Sequence, residues 1–323
     1  MAVYTDITDS ELEAFLAEFD LGSPVSCKGI AEGVSNSNFL VETTEGRFIL
    51  TVYEERVRAE DLPYFLALMQ WLAQHGYPSA EPMPGRDGRI QRTIRAKPAA
   101  LVQFLNGLSV RRPAAAHCRE AGQGMAWLHG AAQGFPGRRA NDLGQPFWAP
   151  MFRALHAEAD GLKPGLAAVM TADLEHLARA WPSGLPAGTV HADLFPDNVF
   201  FKEGRFAGGI DFYFACDDFL AYDIAVALNA WCFEPDGSFN VTSARALIAG
   251  YERRRPLSVA EKAALPILAR GAALRFFLTR LNDWRSTPEG ALVRPKDPLE
   301  YERKLAVHRA GLHLFDGVTQ AAP

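Results

Sequence analysis

The chain has 323 residues, 48% hydrophobic and 22% charged, a balance that excludes a disordered chain and leaves material for a sizeable core. This length favours two cores or one large one. A formal charge of −5, with basic runs as short and scattered as Arg111-Arg112, Arg138-Arg139 and Arg253 to Arg255, excludes general attraction to phosphate polymers, so no nucleic-acid partner is expected.

The opening stretch "MAVYTDITDSELEAF" has no basic or long apolar region, and no later run reaches the length of a membrane span. The four cysteines, Cys27, Cys118, Cys216 and Cys232, have no C-x-x-C spacing and are too few for a disulfide scaffold. The expectation is a cytoplasmic protein with reduced thiols and no membrane contact; oligomeric state is not legible.

In chain order, Thr8 to Glu11 reads as a capping box, followed by Leu12, Phe15, Leu16 and Phe19 on one helical face and Gly22 past the end. From Pro24 to about Glu54 the period becomes two, which predicts three antiparallel strands, the last two joined by "TEG". A helical pattern runs from Ala59 to His75, and "RIQRTIR" and "AALVQFL" read as two more strands. After Asn106-Gly107 the patterns become long and helical: Pro113 to His129, Ala149 to Ala159, Thr171 to Ala180, Phe219 to Trp231, Thr242 to Arg254, Ser258 to Leu281 and Leu299 to Leu314. One interruption, Thr189 to Phe212, contains a small hairpin, "NVFF" and "FAGGID" around "KEGR".

The loop entering that hairpin, "VHADLFPDNVFF", reads H-x-D-x-x-x-x-N with His191, Asp193 and Asn198, and Asp211 closes the hairpin. This order suits phosphoryl transfer, where a carboxylate takes the proton of an acceptor hydroxyl and hard oxygen ligands hold Mg²⁺ against phosphate. Asp193 is the candidate base, and Asn198 and Asp211 are the candidate metal ligands. An H-x-D pair can also ligate the metal of a hydrolase.

"HADLFPDN" with the downstream "ID" resembles the catalytic loop and metal-binding aspartate of the aminoglycoside phosphotransferase and choline kinase relatives of the protein kinases. The resemblance implies an α+β, two-lobed protein-kinase-like fold. Residues 1–105 would be a nucleotide-binding N-lobe, a small antiparallel sheet with one long helix. Residues 106–323 would be a mostly helical C-lobe carrying the catalytic hairpin and the acceptor pocket. ATP and Mg²⁺ would lie between them. It also implies that His191 is structural and that Asp223 braces the loop from the next helix.

In the N-lobe, "EGVSNSNF" would meet the triphosphate through Gly33, Ser35, Asn36, Ser37 and Asn38, and Val102, Gln103, Phe104 and Leu105 would meet adenine through backbone groups. Kinase-like folds carry a lysine on the third strand, but "FILTVYE" has Thr51 there; Lys97 is a possible substitute, and Glu60 a candidate for the acid left without its partner.

"GIAEGVSNSNF", "FILTVYE", "HADLFPDNV", "IDFYFAC", "YDIAVALNAWC" and "RFFLTRL" together resemble homoserine kinases of the aminoglycoside phosphotransferase type over most of the chain. That implies transfer of the ATP γ-phosphate to the side-chain hydroxyl of L-homoserine, giving O-phospho-L-homoserine on the route to threonine. For the zwitterionic acceptor the candidates are Arg139 as a carboxylate clamp, Tyr213, Asn229 and Trp231 lining a pocket, and Arg275, an arginine on an apolar helical face. The alternatives are a kinase for an amino alcohol, choline or an aminoglycoside, and a non-catalytic nucleotide-binding regulator.

Overall fold

The computed structural model describes residues 5–30, 36–54, 58–287 and 295–311. Helix α1 (Asp9–Leu16) starts as the capping box predicts: the Thr8 hydroxyl accepts from Glu11 N at 3.3 Å and Thr8 N donates to Glu11 Oε2 at 2.8 Å. Strands β1 (Pro24–Ile30), β2 (Asn36–Thr43) and β3 (Gly46–Tyr53) follow, then α2 (Leu62–Gln74), β4 (Arg92–Ile94) and β5 (Lys97–Gln103). They form one antiparallel sheet in the order β1-β2-β3-β5-β4.

Alternation along the strands divides this sheet into two faces. Phe39, Val41, Leu50, Val52, Ala99 and Leu101 pack with α1 in one core. On the other face Ile49, Tyr53, Ala100 and Val102 pack with α2, and that core continues into Leu128, Phe135, Phe212 and Ala215. Apolar burial thus fastens α2 to the helical part of the molecule as well as to the sheet.

Among the described residues the remainder is helical apart from two short ribbons. Helices α3 (Ala115–Ala131), α4 (Gln145–Leu162) and α5 (Leu166–Ala180) lead to β6 (Ala187–Val190), β7 (Val199–Lys202), β8 (Arg205–Gly209) and β9 (Cys216–Phe219). Then come α6 (Leu220–Trp231), α7 (Val241–Glu252), α8 (Val259–Ser286) and α9 (Leu299–Ala310). Helices α3 and α7 touch backbone to backbone: a Cβ on Gly122 would lie 2.0 Å from Leu247 O, and one on Gly250 2.0 Å from Arg119 O.

The predicted hairpin is β7 and β8. A second ribbon, β6 paired with β9, was not expected, because "CDDF" lacks apolar alternation. Helix α4 begins earlier than predicted because Pro146 sits in its first turn, where no N–H is needed. Helix α5 also starts earlier, after Gly165 in the left-handed region, and α8 runs on to Ser286. The predicted end of the last helix, Leu314, lies outside the described residues. All four cysteines are free thiols, and among the described residues no helix is long and apolar enough to cross a membrane.

Candidate active site

The loop between β6 and β7 is held by hydrogen bonds from several distant elements to its backbone groups. Asp223, fully buried in the first turn of α6, accepts from His191 N at 2.9 Å, from Ala192 N at 2.8 Å and from His129 Nε2 at 3.0 Å. His129 Nδ1 in turn meets the Tyr251 hydroxyl at 2.7 Å. Burial alone would raise the Asp223 carboxyl, but these donors hold it below the usual carboxylate range. On the carbonyl side, Arg275 Nη1 donates to Ala192 O at 2.8 Å and Trp231 Nε1 to Leu194 O at 2.7 Å. Ala192 sits at φ 60, a left-handed conformation that costs a non-glycine residue and that this network supports.

The same network joins the loop to the end of β8. His191 Nε2 donates to Ile210 O at 2.9 Å and its Nδ1 accepts from Asp193 N at 3.3 Å, so the ring is the neutral Nε2–H tautomer, in line with burial lowering its pKa. Ile210 N donates to Asn198 O at 3.0 Å, and Asn198 Nδ2 donates to Asp193 O at 2.9 Å. Both backbone groups of the residue before Asp211 are therefore tied to the loop that carries Asp193 and Asn198, and Asp211 follows at φ 65. Asp193, Asn198 and Asp211 are brought together in this way.

Among the described residues the carboxylate of Asp211 has no hydrogen-bond donor, although it is half-buried. Burial, with Asp197 nearby, pushes it up to about 6, against the opposing charge of Lys296. Burial pushes Asp193 up to about 7; Arg275 and Lys296 oppose that rise and Asp211 adds to it. Asp193 accepts only a long bond from Asn198 Nδ2, at 3.4 Å, and with Asp211 and the Asn198 amide oxygen, which has no donor among the described residues, it forms a hard-oxygen site that a divalent cation would neutralise. That is the observation by which Asn198 and Asp211 fit Mg²⁺.

On the nucleotide side, Gly33 and Ser35 lie outside the described residues. Asn36, Ser37 and Asn38 begin β2, so the pleat separates them. Asn36 and Asn38 share the face of Thr51, whose hydroxyl donates to Asn38 Oδ1 at 2.9 Å. Ser37 faces the α1 side instead, where its hydroxyl donates to Glu54 at 2.7 Å and accepts from Thr5 N at 3.0 Å, which corrects the expectation that its side chain meets phosphate. Lys97 is on that same α1 side, paired with Glu54 and 2.9 Å from the Thr5 hydroxyl, so it does not substitute for a cation at Thr51. Glu60 is exposed and paired with Arg58 at 2.8 Å.

Within the strand expected to meet adenine, Gln103 N donates to Glu81 O at 2.8 Å and Phe104 N to Arg47 O at 3.2 Å, and Val102 is core. Leu105 N–H has no such partner among the described residues.

Four acceptor-pocket candidates are spent elsewhere. Arg139 binds Asp61 at 3.1 Å and Asp142 at 2.8 Å and lies over the Phe65 ring, a strut between the start of α2 and the helical part. Tyr213 shares a 3.0 Å hydroxyl contact with Tyr53. Asn229, fully buried, donates to Ala269 O at 2.7 Å and accepts from His308 Nε2 at 2.7 Å. Trp231 is the loop strut described above. Arg275 alone keeps guanidinium nitrogens without a hydrogen bond, its plane lying over Phe276 at 4.1 Å and Phe214 at 5.2 Å. Sequence reasoning missed His129 and Tyr251; a histidine on the buried face of α3 was the available signal.

Residues 26–257 match the family described as "Phosphotransferase enzyme family". The chain is 73% identical over 316 residues to a homoserine kinase of Caulobacter sp. (strain K31), covering 98% of this chain and 99% of that one. It is 72% identical over 309 residues to a homoserine kinase of Phenylobacterium zucineum (strain HLK1), covering 96% of each. Among solved structures an amicoumacin kinase in complex with AMP-PNP and Ca²⁺ superposes with a TM-score of 0.68 at 15% identity, over 96% of this chain and 94% of that one, a likeness of fold. The chain belongs to the phosphotransferase enzyme family, among its homoserine kinases of the aminoglycoside phosphotransferase type.

Proposed function

We propose that the protein transfers the γ-phosphoryl group of ATP to the side-chain hydroxyl of L-homoserine. The observation that carries the chemistry is the paired, under-donated carboxylates of Asp193 and Asp211 held beside Asn198 by a loop that Asp223, Arg275 and Trp231 brace. The names of the near full-length relatives support the acceptor.

In this reading the bond from the γ-phosphorus to the β,γ-bridging oxygen breaks, leaving ADP. The bond from phosphorus to the homoserine hydroxyl oxygen forms, and the hydroxyl proton passes to Asp193. A carboxyl pushed up to about 7 is a better proton acceptor near neutral pH than an exposed aspartate. Asn198 and Asp211 would hold Mg²⁺, which supplies charge neutralisation on the phosphate oxygens. Because the transition state is loose, positioning and charge neutralisation outweigh proton removal. The free nitrogens of Arg275, adjoining Ala192 and hence Asp193, are the candidate for the acceptor carboxylate. Asn36 and Asn38 remain candidates for phosphate, and Leu105 N–H for adenine.

The test is ADP formation with L-homoserine, L-serine, L-threonine and choline. The expected result is a kcat/KM for L-homoserine at least about tenfold above the others. Equal or better turnover of choline would overturn the acceptor, and Mg-ATP binding without transfer to any of them would overturn the enzymatic reading.

A further inference from the structure

A triphosphate brings several negative charges to a site already holding Asp193 and Asp211, and the transferring group spreads its charge over three oxygens. The sheet face over the cleft offers Thr51, Asn36 and Asn38, which are neutral. Cations elsewhere in the region are committed. Lys97 serves Glu54 on the far face of the sheet, Arg139 serves Asp61 and Asp142, and Arg58 serves Glu60. Arg275 has one nitrogen on Ala192 O and lies near two aromatic rings, and its remaining nitrogens are the ones assigned above to the acceptor carboxylate.

Lys296, just before α9, differs from all of these. Its Nζ lies 5.6 Å from the centre of the Phe195 ring and 4.0 Å from Asp197 Oδ2, and both residues belong to the loop between Asp193 and Asn198. The contact with Asp197 is long, and the two side chains are 61% and 68% exposed, so water screens the pair and the ammonium is not held by it. A four-carbon stem lets such an ammonium swing to an incoming anion. Its position is also electrostatically central, since its charge opposes the rise of both Asp193 and Asp211.

We propose that Lys296 is the phosphoryl-binding cation of this site, reaching from the segment before α9 to the oxygens of the group in transit. The inference rests on the phosphotransferase reading. It places the cation on the helical side of the cleft, beside the catalytic loop, and not on the sheet.

The experiment compares wild type, Lys296→Met and Lys296→Arg in steady-state transfer to L-homoserine and in ADP binding, after wild-type transfer has been established so that failure of the function and failure of this assignment stay distinct. Lys296→Met is expected to lower kcat by about 10–100-fold with the KM for L-homoserine and the Kd for ADP each within about twofold of wild type, because the contact is made to the group that ADP lacks. Lys296→Arg is expected to recover part of kcat, and the melting temperature of both variants to match wild type, given the exposure of the side chain. Unchanged kcat in Lys296→Met would overturn the proposal. So would a raised KM for L-homoserine at constant kcat, which assigns Lys296 to the acceptor carboxylate, or a weakened Kd for ADP, which assigns it to the inner phosphates.

Discussion

Two aspartates, Asp223, fully buried, and Asp211, half-buried, stand in opposite electrostatic conditions. Asp223 accepts from two backbone amides and from His129, and its pKa falls despite burial. Asp211 accepts from none among the described residues, and burial with Asp197 pushes it up to about 6. Side-chain chemistry is identical, so the donors around each carboxylate decide whether it belongs to the scaffold or is left available for a ligand. The loop is rigid because Asp223 is satisfied, and that rigidity holds Asp193 and Asp211 in a place where they are not.

The comparison breaks most visibly in activity. Asp211→Ala is expected to abolish turnover while leaving the melting temperature near wild type, because removing a donorless carboxylate removes a desolvation cost that offsets the strain of alanine at φ 65; activity assays and thermal melts on one preparation check both halves. Asp193→Asn should lower kcat by about 10²–10⁴-fold with nucleotide affinity unchanged, measured by steady-state kinetics beside calorimetric binding.

Asp223→Ala sharpens the other side. It strands two buried amides and His129, so we expect a loss of about 3–5 kcal/mol in denaturant unfolding, with activity falling only as the loop loosens. A variant with wild-type stability would show that the loop stands without its brace.

The smallest effect concerns His308, which meets Asn229 in the helical core and is held down to about 3 by burial, Arg270 and Lys304. Its ordinary pKa is about 6.5, so between that value and about 3 the unfolded chain binds a proton that the folded chain does not, and stability falls as pH falls. In that window His308 contributes a slope of about 1.4 kcal/mol per pH unit, and His308→Leu should flatten the dependence by that amount in melts between pH 6 and pH 4.

The elements set by local rules were legible in the sequence: the Thr8 box, the period-two strands, and the loop and hairpin along which Asp193, Asn198 and Asp211 fall in order. Asp223 as a brace was legible too, through resemblance. What escaped was whatever depends on a partner far along the chain. Tyr213 loses its hydroxyl to Tyr53, 160 residues away, and Arg139 loses its guanidinium to Asp61, 78 residues away. Nothing local in "GRRANDLG" or "IDFYFA" marks those bonds. The faces taken by Ser37 and Lys97 depend on where each strand starts, since a shift of one residue reverses every side chain. The ribbon of β6 and β9 was hidden because Asp217 and Asp218 interrupt its apolar pattern.

The central claim is that the donorless Asp211 is a metal ligand for the nucleotide and not part of the scaffold. Calorimetric titration of ATP into wild type and Asp211→Ala, each with and without Mg²⁺, tests it most directly. The account predicts that Mg²⁺ tightens binding to wild type and not to a folded Asp211→Ala; an equal Mg²⁺ effect on both would contradict it.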